Sequence, residues 1–155
     1  MRTRKDRKVS SGRPSSKSRI LTGRAPVVLI VDDRADQREM YAMYLAARGC
    51  RVAMAGDGVT AIRVAEAVQP DVIVMDLSLP RLDGWEATRR LKQKSKTAHI
   101  PILACTAHLI GGSAEQAIVA GCDAYVIKPC LPEDLLQQIR TLLGRYAGLR
   151  DRRPA

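Results

Sequence analysis

A continuous run of β-branched and aliphatic residues, VVLIV at 27–31, ends abruptly in Asp32 and Asp33. A short apolar run with no alternation predicts a strand covered on both faces. The period then changes. Along 34–48 (RADQREMYAMYLAAR), Met40, Met43, Tyr44 and Ala47 recur on one side at helical spacing, and Gly49 is placed to stop the helix. The same switch repeats down the chain. RVAMA (51–55) reads as a strand, and 57–69 as a helix with Asp57 at its cap and Pro70 beyond its end. VIVMD (72–76) is a third strand, followed by a helix over 83–93 that turns Trp85 and Leu91 inward. PILACT (101–106) and AYVIK (124–128) are the fourth and fifth strands. Between them lies a helix over 113–121, and Pro132 with Glu133 and Asp134 opens a last amphipathic helix over 132–147.

Five strands alternating with five helices predict an α/β fold: a doubly wound, five-stranded parallel sheet with helices on both faces. Such sheets bind ligands beyond the carboxyl ends of the strands, near the point where strand order reverses. At those ends stand Asp32 and Asp33, then Asp76, Thr106 and Lys128 followed by Pro129. Three carboxylates crowded together repel one another, and a hard divalent cation with oxygen ligands relieves that, which suits Mg²⁺. A carboxylate can also act as a nucleophile and form an acyl phosphate. An ammonium would then neutralise phosphoryl charge and a hydroxyl would donate to a phosphoryl oxygen. The expected reaction class is phosphoryl transfer. Blander readings exist for each residue alone: Asp32 and Asp33 as helix caps, Asp76 as a turn residue, Thr106 as a strand former.

VLIVDD, VIVMDLSLPRLDGWE, ILACTA and YVIKP, in this order and spacing, resemble the receiver domains of bacterial two-component response regulators, including stand-alone receivers of the CheY and DivK type. The resemblance spans residue 26 to about 147 and implies a flavodoxin-like (βα)5 fold. It implies that Asp76 accepts a phosphoryl group from a sensor histidine kinase or a histidine phosphotransfer protein. It also implies that Asp33 binds Mg²⁺ directly, Asp32 mainly through a metal-bound water, and Ser78 through its backbone carbonyl. Asp76 completes that metal set. Thr106 and Tyr125 match a pair that shifts on phosphorylation; half-buried packing is the blander reading of Tyr125. Lys128 matches the phosphate-contacting lysine, with Pro129 suggesting a cis peptide. His108 and Ser78 fall where the family tunes phosphoryl lifetime. The chain would be a switch that catalyses its own phosphorylation and dephosphorylation rather than an enzyme. Its output would be a contact with a downstream protein across the face around residues 107–145. The alternatives are a receiver segment of a larger or hybrid kinase and a receiver whose basic arm binds nucleic acid. An aspartyl-phosphate phosphatase is disfavoured by Ser78, which stands where that class carries a second acid. A flavin carrier is disfavoured by acidic strand ends that would repel the flavin phosphate.

Composition changes the picture in three places. The chain is 46% apolar but only 3% aromatic with no Phe, so aliphatic residues and Met must fill the core. Net charge is +10, yet residues 1–24 hold nine Lys/Arg against one Asp and residues 150–155 three Arg against one Asp. Residues 25–149 therefore carry no net charge. The expected organisation is a disordered basic arm at 1–24, the receiver at 25–147 and a short basic tail at 148–155. The arm has no interleaved aromatics and no accompanying nucleic-acid-binding fold, so specific nucleic-acid contact is not the favoured reading. Finally, Cys50, Cys105, Cys122 and Cys130 show no metal spacing and read as buried small hydrophobes, with Cys130 the one expected to be partly exposed. No apolar run is long enough to span a bilayer, and no secretory signal is visible; the expected location is the cytoplasm.

Overall fold

The computed structural model describes residues 24–107 and 120–150, with side chains as far as residue 146. The expected arm, apart from Arg24, lies outside the described residues, as do the helix expected over 113–121, except for its last two positions, His108, and residues 151–155. Five parallel strands form one sheet: β1 (Val27–Val31), β2 (Arg51–Ala55), β3 (Val72–Asp76), β4 (Ile102–Thr106) and β5 (Ala124–Ile127), in the order β2-β1-β3-β4-β5. Four helices are described: α1 (Ala35–Ala47), α2 (Gly58–Val68), α3 (Gly84–Gln93) and α4 (Pro132–Arg150).

The alternation of side chains along β1 and β3 explains why both strands read as unbroken apolar runs. Leu29, Val31, Ile73 and Met75 pack into one buried cluster with Ala61, Ile62 and Ala65 of α2 and Ala87 and Leu91 of α3. Val28, Ile30, Val72 and Val74 pack into a second with Tyr41 and Leu45 of α1 and Leu135, Ile139 and Leu142 of α4. Each central strand is thus covered on both faces, and β3 and β4 are buried at every position. β2 and β5 are the edges and keep exposed positions, including Met54, Tyr125 and Ile127.

The inward face of α1 differs from the expectation. Tyr41, Ala42 and Leu45 are buried, Tyr44 is partly buried, and Met40, Met43 and Ala47 face out. Two apolar stripes compete on this helix, and the one that packs on the sheet places Tyr41, Ala42 and Leu45 in one cluster with Val28 and Ile30 of β1. Elsewhere the helix ends follow their chemistry. The Asp57 carboxylate accepts from the Thr60 amide at 2.7 Å and so caps α2. Asp83 caps α3 by accepting from the Glu86 amide at 2.8 Å, which settles Asp83-Gly84 as an entry to a helix. Gly49, with φ of 91°, ends α1 in a left-handed conformation that glycine adopts without strain.

Candidate functional site

The chain winds from β1 outward to β2, then crosses back so that β3 lies on the other side of β1. The reversal of strand order therefore falls between β1 and β3, where a crevice opens at the carboxyl ends. Asp32 and Asp33 leave β1 there and Asp76 ends β3. One carboxylate oxygen from each of the three lies within 4.8 Å of the other two. Asp32 and Asp76 are almost completely buried, whereas Asp33 is exposed at the mouth.

Lys128 reaches this cluster from the end of β5. Its Nζ lies 2.9 Å from Asp32 Oδ2 and 3.2 Å from Asp76 Oδ2. A third acceptor, Gln37 Oε1, is 3.1 Å away. The other oxygen of each buried carboxylate is fixed by its own loop. Asp32 Oδ1 accepts from the Arg34 amide, and Asp76 Oδ1 from the Ser78 amide, each at 2.9 Å. Both are hydrogen bonds to the backbone two residues on, the local pattern that Asp favours in turns. Asp32 thus does not cap α1, whose N-cap position is Arg34 and carries no side-chain cap.

Burial alone would lower the Lys128 pKa, but the hydrogen bond to Asp32 and the charges of Asp76 and Asp32 outweigh it, so the ammonium is held above its ordinary value. It stays charged throughout the neutral range. One ammonium still faces three carboxylates, so the crevice keeps an excess of negative charge. All the donors are hard oxygens, and the set fits a small divalent cation such as Mg²⁺.

The surrounding backbone holds these groups in place. The Lys128 amide donates to the Thr106 carbonyl at 2.8 Å, tying the end of β5 to the end of β4. The Lys128–Pro129 peptide is cis. Thr106 is buried at the end of β4, Ser78 is exposed, and Tyr125 is 43% exposed on β5. The Tyr41 hydroxyl donates to the Cys130 carbonyl at 2.6 Å, and burial, followed by the nearby Cys105 and Cys130 thiols, pushes its pKa up to about 12. Gly84, the first residue of α3, lies so close to the acceptor strand that an added Cβ would be 2.1 Å from the Asp76 carbonyl oxygen.

Two further contributors escape a reading of motifs: Gln37 and Arg38. Gln37 follows Asp33 by four residues, one helical turn into α1, which aims it at Lys128. The Arg38 guanidinium donates to the Asp32 carbonyl at 2.6 Å. Of the residues expected at the site, Asp32, Asp33, Asp76 and Lys128 converge, Thr106 lies beside them in the sheet, and Tyr125 sits outward on the edge strand.

A family model described as the response regulator receiver domain matches residues 28–140. The chain belongs to this family. The receiver is 32% identical over 117 residues to the polar-differentiation response regulator DivK of Brucella anthropi, covering 76% of this chain and 95% of that protein. It is 36% identical over 120 residues to RpaA of Synechocystis, a DNA-binding dual master transcriptional regulator, covering 77% of this chain but 50% of that longer protein. Among solved structures it resembles the chemotaxis protein CheY4 of Vibrio cholerae, with a TM-score of 0.73, 29% identity, and coverage of 76% of this chain and 98% of that one. It also resembles the receiver domain of the sensor histidine kinase PA1611 of Pseudomonas aeruginosa, with a TM-score of 0.72, 32% identity, and coverage of 77% and 98%. That structure has a magnesium ion coordinated in its active-site cleft. The receiver is accordingly a two-component response-regulator module, of a family of phosphoacceptor switches that are not generally classed as enzymes. Among the described residues, no helix is long and apolar enough to cross a membrane.

Proposed function

We propose that Asp76 accepts a phosphoryl group from a sensor histidine kinase or a histidine phosphotransfer protein. The convergence of Asp32, Asp33, Asp76 and Lys128 at the topological switch carries this reading. Asp32, Asp33 and Asp76, with the Ser78 carbonyl, would hold Mg²⁺, as the magnesium-bound PA1611 receiver supports by likeness. When bound, Mg²⁺ neutralises charge on the transferring phosphoryl group.

The protein's own residues do the rest. An Asp76 carboxylate oxygen forms the new O–P bond as the bond from phosphorus to the donor nitrogen breaks, and the leaving imidazole keeps the electron pair. Lys128, already 3.2 Å from Asp76 Oδ2, pairs with a phosphoryl oxygen and offsets the added negative charge. The amide of Ser78 orients the acceptor by holding Asp76 Oδ1. The Thr106 hydroxyl donates to another phosphoryl oxygen, and Tyr125 follows it inward from its exposed position. A downstream protein would then discriminate between the two states; of the face expected for it around residues 107–145, residues 108–119 lie outside the described residues.

The same reading takes residues 1–24 as a basic arm, 25–147 as the receiver and 148–155 as a basic tail, although α4 continues three residues past that boundary, to Arg150, and has the protein act in the cytoplasm. Acetyl phosphate labelling with and without Mg²⁺ tests it. Labelling is expected to be lost on chelation and strongly reduced in Asp33→Asn, whose side chain is exposed and whose loss spares the core. Full labelling of Asp33→Asn, or labelling that ignores chelation, would contradict it.

A further inference from the structure

Lys128 spends all three of its ammonium donors at the crevice. Two go to carboxylates, Asp32 at 2.9 Å and Asp76 at 3.2 Å, and the third goes to the neutral Gln37 Oε1 at 3.1 Å. The Lys128 side chain is only 12% exposed, so a donor left without a protein acceptor would be poorly served by water. A lysine stem is long and flexible. Two carboxylates alone would let the ammonium slide toward either one, or outward to the exposed Asp33. A third acceptor reaching over from α1 fixes its place.

Gln37 is itself held. It lies one helical turn before Tyr41 on α1, so the two side chains share a face. The Tyr41 hydroxyl has a single hydrogen, which it donates to the Cys130 carbonyl at 2.6 Å. Its oxygen is left to accept. Burial dominates the Tyr41 pKa and raises it, while a hydrogen bond with the Gln37 side chain pulls it the other way. That is the sense of an amide donating to the phenol oxygen. Lys128 has no acceptor and Tyr41 no spare hydrogen, so the carboxamide has one orientation, with Oε1 to Lys128 and Nε2 to Tyr41. Tyr41 is buried in one cluster with Leu45 of α1 and Leu135 of α4, which anchors the pair. Cys130 lies two residues after Lys128, so these contacts close a ring. It runs from Lys128 to Gln37, to Tyr41, to the Cys130 carbonyl, and back through Pro129. The ring fastens α1 to the segment that carries the lysine.

We infer that Gln37, oriented by Tyr41, is a positioning residue that sets the Lys128 ammonium for phosphoryl transfer to Asp76. This role rests on the phosphoacceptor reading and extends it beyond the aspartates and the lysine. A neutral acceptor suits the task. It fixes the third donor without adding to the negative charge of the crevice, as a fourth carboxylate would. As Asp76 takes the phosphoryl group, Lys128 turns one donor from the Asp76 carboxylate to a phosphoryl oxygen and keeps its bonds to Asp32 and Gln37. Only one contact changes, so little is left to reorganise in the transition state.

Three variants of the full chain, labelled with Mg²⁺ and acetyl phosphate, test the inference. Gln37→Met keeps the length and neutrality of the side chain and removes its polar atoms. It should label about tenfold more slowly than wild type, the scale of one hydrogen bond to a charged group. Gln37→Asn, which keeps the amide but not the reach, should be slowed as much. Tyr41→Phe keeps the buried ring and should slow labelling by a smaller factor. Combined with Gln37→Met it should add nothing, because the two act through one chain of bonds. Proton–nitrogen NMR of the lysine ammonium groups supplies a readout that a merely structural role would not move. The wild type should show a Lys128 signal protected from solvent exchange, and Gln37→Met should lose it while its backbone amides remain those of the folded receiver. Labelling of Gln37→Met at the wild-type rate or faster would overturn the inference. So would an unchanged Lys128 signal, or a rate that falls only because Mg²⁺ binds more weakly. A wild type that gains no phosphoryl group would defeat the phosphoacceptor reading and this role with it, an outcome distinct from a labelled wild type whose rate is indifferent to Gln37.

Discussion

A single methyl group at residue 84 probes how the acceptor loop is held. In Gly84→Ala the new Cβ would lie 2.1 Å from the Asp76 carbonyl oxygen, 2.6 Å from Leu77 Cα and 2.9 Å from the Asp76 carbonyl carbon. Non-bonded carbon atoms prefer about 3.5–4.0 Å, so the start of α3 must retreat by about 1 Å or more. All three obstructing atoms are backbone, and none can swing aside. Asp76 lies in register with Cys105, and the Leu77 amide donates to the Cys105 carbonyl at 3.2 Å. Overpacking costs up to about 3 kcal/mol, while the better helix propensity of Ala returns up to about 1 kcal/mol. The expected net loss is about 2 kcal/mol, or roughly 6–10 °C in Tm for a domain of this size. Gly144 supplies the opposite sign. It lies inside α4 with nothing within 4 Å of its would-be Cβ. Gly144→Ala should therefore stabilise by about 0.5–1 kcal/mol. Urea and thermal unfolding followed by circular dichroism read both variants. A Gly84→Ala protein within about 0.5 kcal/mol of wild type, the ordinary scatter of surface substitutions, would refute the close approach.

Three further outcomes follow from the same geometry. Lys128→Ala leaves Asp32 and Asp76 without their shared cation and should cost about 3 kcal/mol in the absence of divalent ions; a loss below about 1 kcal/mol in urea unfolding would contradict a buried pairing. Burial raises the Cys105 thiol to about 12 and the Cys122 thiol to about 11, so both should alkylate far more slowly than Cys50 and Cys130 at pH 8, as read by mass spectrometry site by site. Because the unfolded thiols ionise near 9.0 and the folded ones do not, their contribution to stability is complete below that pH and declines as pH rises through it. The Asp57 carboxylate is held below its ordinary 3.8, first by the amide of Thr60 and then by its hydroxyl. Its capping energy is present above that value and lost as pH falls through the lower folded one, so Asp57→Ala should cost about 1 kcal/mol at pH 7 and progressively less in acid.

Much of this molecule is legible from residue order, for reasons visible in particular elements. β1 and β3 announce themselves because a strand covered on both faces must be apolar throughout, and each ends where a carboxylate breaks the run. Asp57 and Asp83 mark helix starts through side chains short enough to reach an amide three residues on. The crevice follows once the strand order is known, since parallel strands with short crossovers bring Asp32, Asp33, Asp76 and Lys128 to one rim. What escapes is tertiary. Met40 and Met43 share a stripe as apolar as that of Tyr41, Ala42 and Leu45, and only the docking of α1 on the sheet decides between them. Gln37 and Arg38 lack a motif because their partners lie across space, at Lys128 and the Asp32 carbonyl. Cys50 is as partly exposed as Cys130 because it sits beyond the end of α1, a position that spacing alone does not reveal.

The most direct test of the central claim is the intact mass of the full chain after incubation with Mg²⁺ and acetyl phosphate, for wild type and Asp76→Ala. A labile gain of one phosphoryl group is expected in the wild type and none in the variant. A gain of the same size in Asp76→Ala would place the acceptor elsewhere and contradict the role of Asp76.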